Sequence, residues 1–205
     1  MSTLHRYADY LPAPIADQFP SPVKNREHIR PLIPGQFFSD FYLEDEQVIN
    51  RGPLLKDATG VTSLHLLTAQ PLVVAFYSVN WNGYGDALIA ELIEKHAAIE
   101  AAGARLLVLS SESKKHFAEF NREPLPFDVV RDAQHRIARK AGIYKETDPI
   151  WGRVAGVNAD VPVPAVYLIT PSLEITYSFT DIYLEQKFSA DELLSVVDKQ
   201  LAISA

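Results

Sequence analysis

The chain has 205 residues, 19 Lys+Arg against 26 Asp+Glu, and a formal net charge of −7. At 47% hydrophobic and 22% charged it has the composition of a globular protein with one real core. The acidic balance argues against nucleic acid, whose phosphates need clustered Lys/Arg. The longest purely apolar run, Pro71 to Tyr77, is far short of the roughly 18 residues of a membrane span. Met1 to Tyr10 has no apolar centre, so no secretory signal is expected there. Cys is absent, which excludes disulfides, thiolate metal sites, iron–sulfur clusters and any cysteine nucleophile within these residues.

Residues 1 to 35 hold six of the 14 prolines. Proline fixes φ and removes a donor, so long helices and central strands are not expected there. The segment reads as an extended arm that wraps on the domain or on a partner. Its Leu11, Ile15, Phe19 and Val23 favour docking over disorder.

Regular structure begins at residue 36. Phe37 to Leu43 predicts a strand, Glu44-Asp45-Glu46 a turn, and Gln47 to Leu55 a second strand pairing back on the first. Thr59-Gly60 is a turn, and Val61 to Leu67 leads into a short helix. Leu72-Val73-Val74-Ala75-Phe76-Tyr77 is the continuous apolar run of a strand covered on both faces. Asp86 to Ala102 predicts a long helix with a Leu88, Leu92, Ile99 stripe, stopped by Gly103.

Arg105 to Ser110 predicts another buried strand, Ser111 to Phe120 a helix, Phe127 to Val130 a short strand and Asp132 to Ala141 a helix ended by Gly142. This alternation argues α/β with parallel strands. Ala165 to Ile169 and Glu174 to Phe179 flank Thr170-Pro171-Ser172-Leu173 as an antiparallel hairpin. Ser189-Ala190-Asp191-Glu192 has capping-box spacing and opens a last helix to about Ile203.

Strand, aromatic turn, long helix, strand, helix, hairpin and last helix is the order of a thioredoxin-like fold. Val74-Ala75-Phe76-Tyr77-Ser78-Val79-Asn80-Trp81-Asn82-Gly83-Tyr84-Gly85 resembles the active-site segment of a peroxiredoxin-like branch of the alkyl hydroperoxide reductase/thiol-specific antioxidant (redoxin) family, F-Y-x-x-x-W-C-P-Y-C. Val161 to Ile169 resembles that branch's V-P-A-T-Y-x-I-D strand, and Asp128 to Asp132 followed by a helix and Gly142 also fits. The resemblance covers residues 35 to 203. It implies an α/β thioredoxin-like fold with a mixed central sheet flanked by helices. The implied organisation is an extension over 1–35 and a domain over 36–205.

The sequence departs from the pattern where the chemistry sits. Asn82 and Gly85 stand at the former active-site Cys positions, and Gly83 replaces the intervening Pro. Thiol peroxidase chemistry needs a thiolate that becomes a sulfenic acid, and none is present. By the same resemblance, the Val163–Pro164 bond is expected to be cis.

Trp81, Asn82, Tyr84, Asp86 and Pro164 are the candidate pocket residues. Asn82 is either the N-cap of the long helix or a polar ligand near its partly positive N-terminus. Trp81 and Tyr84 are either structural aromatics or a binding platform.

The six His (His5, His28, His65, His96, His116, His135) are scattered singly, so no metal site is expected. Gly83-Tyr84-Gly85-Asp86 is too short for a dinucleotide fingerprint, no Gly-x-Ser-x-Gly elbow exists, and no cofactor is expected. Lys114-Lys115-His116 reads as a small solvated basic spot. Ile150, Trp151, Val154 and Val157 lie in an insertion that either meets a partner or packs on its own domain.

Two functions follow as expectations. The first is a cytoplasmic, cysteine-free binding or interaction module, self-associating as a homodimer or joined to a Cys-bearing family member, without nucleic acid or membrane. The second is an antioxidant-family enzyme using the Asn82/Tyr84/Asp86 pocket for non-thiol chemistry.

Overall fold

In the computed structural model the described residues are 27–204, with side chains described to 200. The expected docking of Leu11, Ile15, Phe19 and Val23 lies outside them. Among the described residues eight strands form two sheets. β1 (Tyr42–Glu44) and β3 (Val61–Ser63) make a two-stranded antiparallel ribbon, followed by the single-turn helix α1 (Leu64–Leu67).

The main sheet holds β2 (Val48–Asn50), β6 (Asp128–Arg131), β5 (Arg105–Ser110), β4 (Leu72–Tyr77), β7 (Ala165–Ile169) and β8 (Ile175–Thr180), in that spatial order. β4, β5 and β6 are parallel, while β2, β7 and β8 join antiparallel. All six residues of β4 are buried, as a doubly covered strand requires. Between the parallel strands run α2 (Tyr84–Ala101) and α3 (Lys114–Phe120); α4 (Arg136–Lys140) follows β6 and α5 (Ala190–Ser204) closes the chain. α2 lies against β4, β5 and α5. No helix among the described residues is long and apolar enough to cross a membrane.

Three expected elements differ. The strand over 37–43 shrinks to β1, with Phe37 making only an isolated bridge to Glu174. The expected second strand shrinks to β2, which pairs with β6 rather than back on β1. Its loop explains the choice. The buried Asp128 carboxylate accepts from the N–H groups of Gly52 (2.7 Å), Leu54 (2.8 Å) and Leu55 (3.2 Å), which ties residues 52–55 to the start of β6. The Val163–Pro164 bond is trans, since there is no cis peptide bond among the described residues. Trans is the lower state for X–Pro by about 0.5–1 kcal/mol. Here the trans chain lets Val163 N–H donate to Ile143 (3.2 Å) and Pro164 C=O accept from Asp181 (3.1 Å).

The chain from residue 27 onward docks on the domain. Arg30 N–H donates to Gly142 (2.9 Å), Leu32 N–H to Ala141 (3.0 Å) and Ile29 N–H to the Asp148 carboxylate (2.9 Å). Gly142 stops α4 at φ +71°. A Cβ there would lie 1.9 Å from the Arg30 carbonyl, so this docking needs glycine.

Candidate functional site

The turn between β4 and α2 carries most of the candidates. Trp81 is 1% exposed, and its indole Nε1 donates to the Pro162 carbonyl (2.9 Å). It meets Tyr77 and Tyr84 edge-on, with ring centroids 6.2 and 6.1 Å away. Trp81 therefore pins the turn to the 161–164 segment. Pro164 is buried just before β7.

Asn82 is exposed at φ +50° and is not the cap; the N-cap of α2 is Gly83, at φ +84°. A capping side chain needs extended backbone at its own residue, which a left-handed Asn82 does not have. Its amide lies against Gly156 instead, where a Cβ would sit 2.7 Å from Asn82 Nδ2. The turn thus touches the insertion.

Gly85 is buried with its Cα on the end of β4. A Cβ there would lie 2.4 Å from the Ser78 carbonyl and 3.1 Å from the Tyr77 ring. No side chain of any kind fits at 85 without moving backbone. Asp86 is exposed in the first turn of α2.

Of the five pocket candidates, Tyr84 lines a sizeable cavity among the described residues. It is an open groove of about 250 Å³ between the start of α2 (Tyr84, Ala87, Leu88) and residues 184–188. Burial, and then the Asp181 carboxylate, hold the Tyr84 phenol well above its ordinary range, so it is a neutral hydroxyl there. Asp181 also shapes the loop, accepting from Tyr183 N–H (3.1 Å) and Gln186 N–H (2.6 Å). Asn82 and Asp86 do not line this groove.

Sequence reasoning missed a buried polar group at the ends of β4 and β5. The Glu112 carboxylate is buried and accepts from Ser78 Oγ (2.5 Å), Asn80 Nδ2 (3.1 Å) and Ser110 Oγ. Three neutral donors hold an acid with no cation beside it among the described ion pairs. The available signal was Ser110-Ser111-Glu112 at the end of an apolar strand, where α/β sheets place their polar groups.

Next to it, Trp81, Pro162, Ser110, Asp132 and His135 line a cavity of about 10 Å³, the size of one water. Asp132 accepts from Ile137 and Ala138 N–H (both 3.0 Å) and so caps α4. Burial pushes His135 below its ordinary value, and its ring stacks on Tyr144 with centroids 4.0 Å apart. Among the described residues no cluster of His, Asp and Glu could hold a metal ion.

In the insertion, Ile150 and Val157 are buried and Val154 is half-buried, so those three pack on their own domain; Trp151 is exposed.

The architecture matches solved peroxiredoxins. Mycobacterium tuberculosis AhpC is 18% identical with a TM-score of 0.63, covering 84% of this chain and 95% of that one. The mitochondrial 2-Cys peroxiredoxin of Plasmodium falciparum is 14% identical with a TM-score of 0.64, covering 84% and 96%. The reduced 2-Cys peroxiredoxin of Plasmodium vivax is 16% identical with a TM-score of 0.61, covering 84% and 83%. At these identities the likeness speaks for the fold. No curated protein matches the chain. The family model for AhpC/TSA matches residues 34–178, most of the chain. This chain, with its thioredoxin-like peroxiredoxin fold and no cysteine among its 205 residues, belongs to the AhpC/TSA family.

Proposed function

We propose that this protein has lost thiol peroxidase chemistry and works as a binding or interaction module on the peroxiredoxin scaffold. The observation that carries the reading is position 85. Gly85 is packed on the Ser78 carbonyl at a distance that leaves no room for a side chain, and Asn82 turns outward onto Gly156. The two former Cys positions are therefore filled by a backbone contact and an exposed amide, not by an idle pocket awaiting a thiol.

In this reading residues 36–205 are the domain and 1–35 the extension. The protein is cytoplasmic and pairs with itself or with a Cys-bearing family member. A peroxide-consumption assay on the purified chain with a thiol reductant tests the loss of chemistry. The expected rate equals that of heat-inactivated protein, and turnover above that control overturns the proposal.

The Tyr84 groove favours a second reading, ligand binding at the emptied turn. Its lining of Tyr84, Ala87, Leu88, Leu184 and Phe188, with Glu185, Gln186 and Lys187 beside them, suits a small molecule with an apolar body and a polar end. Native mass spectrometry of the protein from its own cells separates the two. A small retained mass that Ala87→Trp, which fills the groove, abolishes supports the groove. A heteromeric mass supports the interaction module.

A further inference from the structure

The turn at 81–84 holds an amide and a main-chain nitrogen in the order that lets one attack the other. Asn82 is followed by Gly83, and no other Asn in the 205 residues is followed by Gly. An Asn side chain carries its own electrophile, the amide carbon Cγ, within ring-closing reach of the next residue's main-chain nitrogen. Closure makes a succinimide ring. A side chain on the following residue crowds that ring, and glycine has none.

The fold leaves this pair free. Tyr84 N–H donates to the Trp81 carbonyl at 3.0 Å, so Asn82 and Gly83 are the central residues of a turn, at φ +50° and +84°. Positive φ at both positions is the type I′ pattern that Asn-Gly suits. Gly83 N–H has no hydrogen-bond partner among the described residues, and neither does the Asn82 side chain. The pair lies before α2 begins, so no helical hydrogen bond holds the nitrogen. Both residues are exposed, and a Cβ placed on Gly83 would meet nothing within 4 Å. There is therefore room for the ring and access for water.

We propose that Asn82–Gly83 is a site of spontaneous modification, at which the folded chain converts an amide into a carboxylate. Solvent base removes the Gly83 N–H proton, and the nitrogen attacks Asn82 Cγ. The N–Cγ bond forms, the Cγ–Nδ2 bond breaks, and solvent returns the proton to the leaving nitrogen, which departs as ammonia. Water then opens the ring. Opening at Cγ gives Asp. Opening at the Asn82 main-chain carbonyl carbon gives isoaspartate, with the main chain rerouted through the side-chain carbons. The sum is water in and ammonia out, with no change of oxidation state.

Either product puts a negative charge one residue before the N-cap of α2, where the helix's partial positive charge favours it. Isoaspartate also lengthens the main chain between Trp81 and Tyr84. The reaction is thus an irreversible change of charge and shape in the turn between β4 and α2. It stands independently of whether thiol chemistry has been lost.

The test ages the freshly purified full-length chain in warm neutral buffer, beside a second sample unfolded in urea. Peptide mass spectrometry reads amide against carboxyl at each Asn, and electron-transfer fragmentation separates Asp from isoaspartate. Asn158 is the internal control, being also exposed but followed by Ala159. In the folded chain, conversion at 82 is expected to run at least about tenfold faster than at 158, with both isomers formed, because only glycine leaves the ring uncrowded. The folded chain is expected to convert within about tenfold of the unfolded one, because the turn leaves the nitrogen unpaired. Gly83→Ala is expected to slow conversion about tenfold.

Retention of the Asn82 amide in the folded chain while the unfolded chain converts overturns the proposal. So does equal conversion at 82 and 158, or Asp without isoaspartate, which marks direct attack by water rather than by Gly83. A folded Gly83→Ala that converts as fast as the parent overturns it too. If that variant fails to fold, the folded and unfolded samples of the unaltered chain decide.

Discussion

At the scale of single residues, the turn between β4 and α2 is defined by what fits. Gly85→Ala puts a methyl 2.4 Å from the Ser78 carbonyl, so the backbone of the turn has to shift. Overpacking of this kind costs about 1–3 kcal/mol. Gly85→Cys is expected to cost at least as much, and chemical denaturation of each variant against the parent checks both.

Asn82 behaves oppositely. At φ +50° it tolerates glycine, so Asn82→Gly is expected to be neutral or slightly stabilising, whereas Asn82→Val forces a β-branched residue into the left-handed region at about 1–2 kcal/mol. A capping role would instead have made Asn82→Gly destabilising, by a few tenths of a kcal/mol. The sign of the Asn82→Gly change therefore separates cap from turn. Asn82 could be read from the sequence as special but not as left-handed. Asn caps helices and fills left-handed turns for the same reason, a short polar side chain that bonds locally, and only the neighbouring Gly83 decides between the two.

At the scale of elements, the stretch from Glu27 to Leu32 is fastened to the loop after α4 through Asp148. Burial draws the Asp148 carboxyl upward, but Ile29 N–H, Arg153 and His28 outweigh it and hold it below the usual carboxylate range. Its folded pKa is thus below its unfolded one. The stability it lends is full above the ordinary carboxylate range and is lost as pH falls through the folded value. Acidification is expected to release this stretch, read as faster hydrogen exchange at the Ile29 and Leu32 amides before the main sheet opens.

The long elements were legible because their signals are redundant. β4 is apolar throughout, β5 is apolar from Leu106 to Leu109, and α2 has a buried stripe bounded by a glycine. β2 was not legible as a partner of β6. Three residues carry no period, and the pairing is set by the Asp128 carboxylate some 73 to 76 positions away. The Glu112 cluster was missed for a related reason. Ser78, Asn80 and Ser110 are unremarkable in sequence and become a site only when parallel strands bring their ends together.

For the whole molecule, Tyr77, Tyr144 and Tyr167 lie in the core and Tyr84 and Tyr177 pack against it. Burial pushes Tyr77 and Tyr177 up to about 12, and holds Tyr84, Tyr144 and Tyr167 higher still. The unfolded chain ionises these phenols near the ordinary value of about 10. The folded state therefore keeps protons that the unfolded state releases, and stability falls as pH rises from about 10 through about 12. The expected observation is a cooperative alkaline transition in which the phenolate signal of these five tyrosines and loss of helix rise together. Phenolate at any of the five appearing well before the helix signal falls would contradict it.

The placement of β4 has a temporal consequence. Its parallel neighbour β5 follows closely in the chain, but its antiparallel neighbour β7 does not, and the Trp81 contact that seals the adjoining turn reaches 81 positions ahead to Pro162. Contacts this distant are slow to form because their loop entropy must be met before they are rewarded. During synthesis, this wholly apolar strand waits with one edge bare until most of the chain has left the ribosome. Cells making this protein must carry that exposed edge through translation, so its yield should depend on chaperone supply during synthesis more than its final stability suggests.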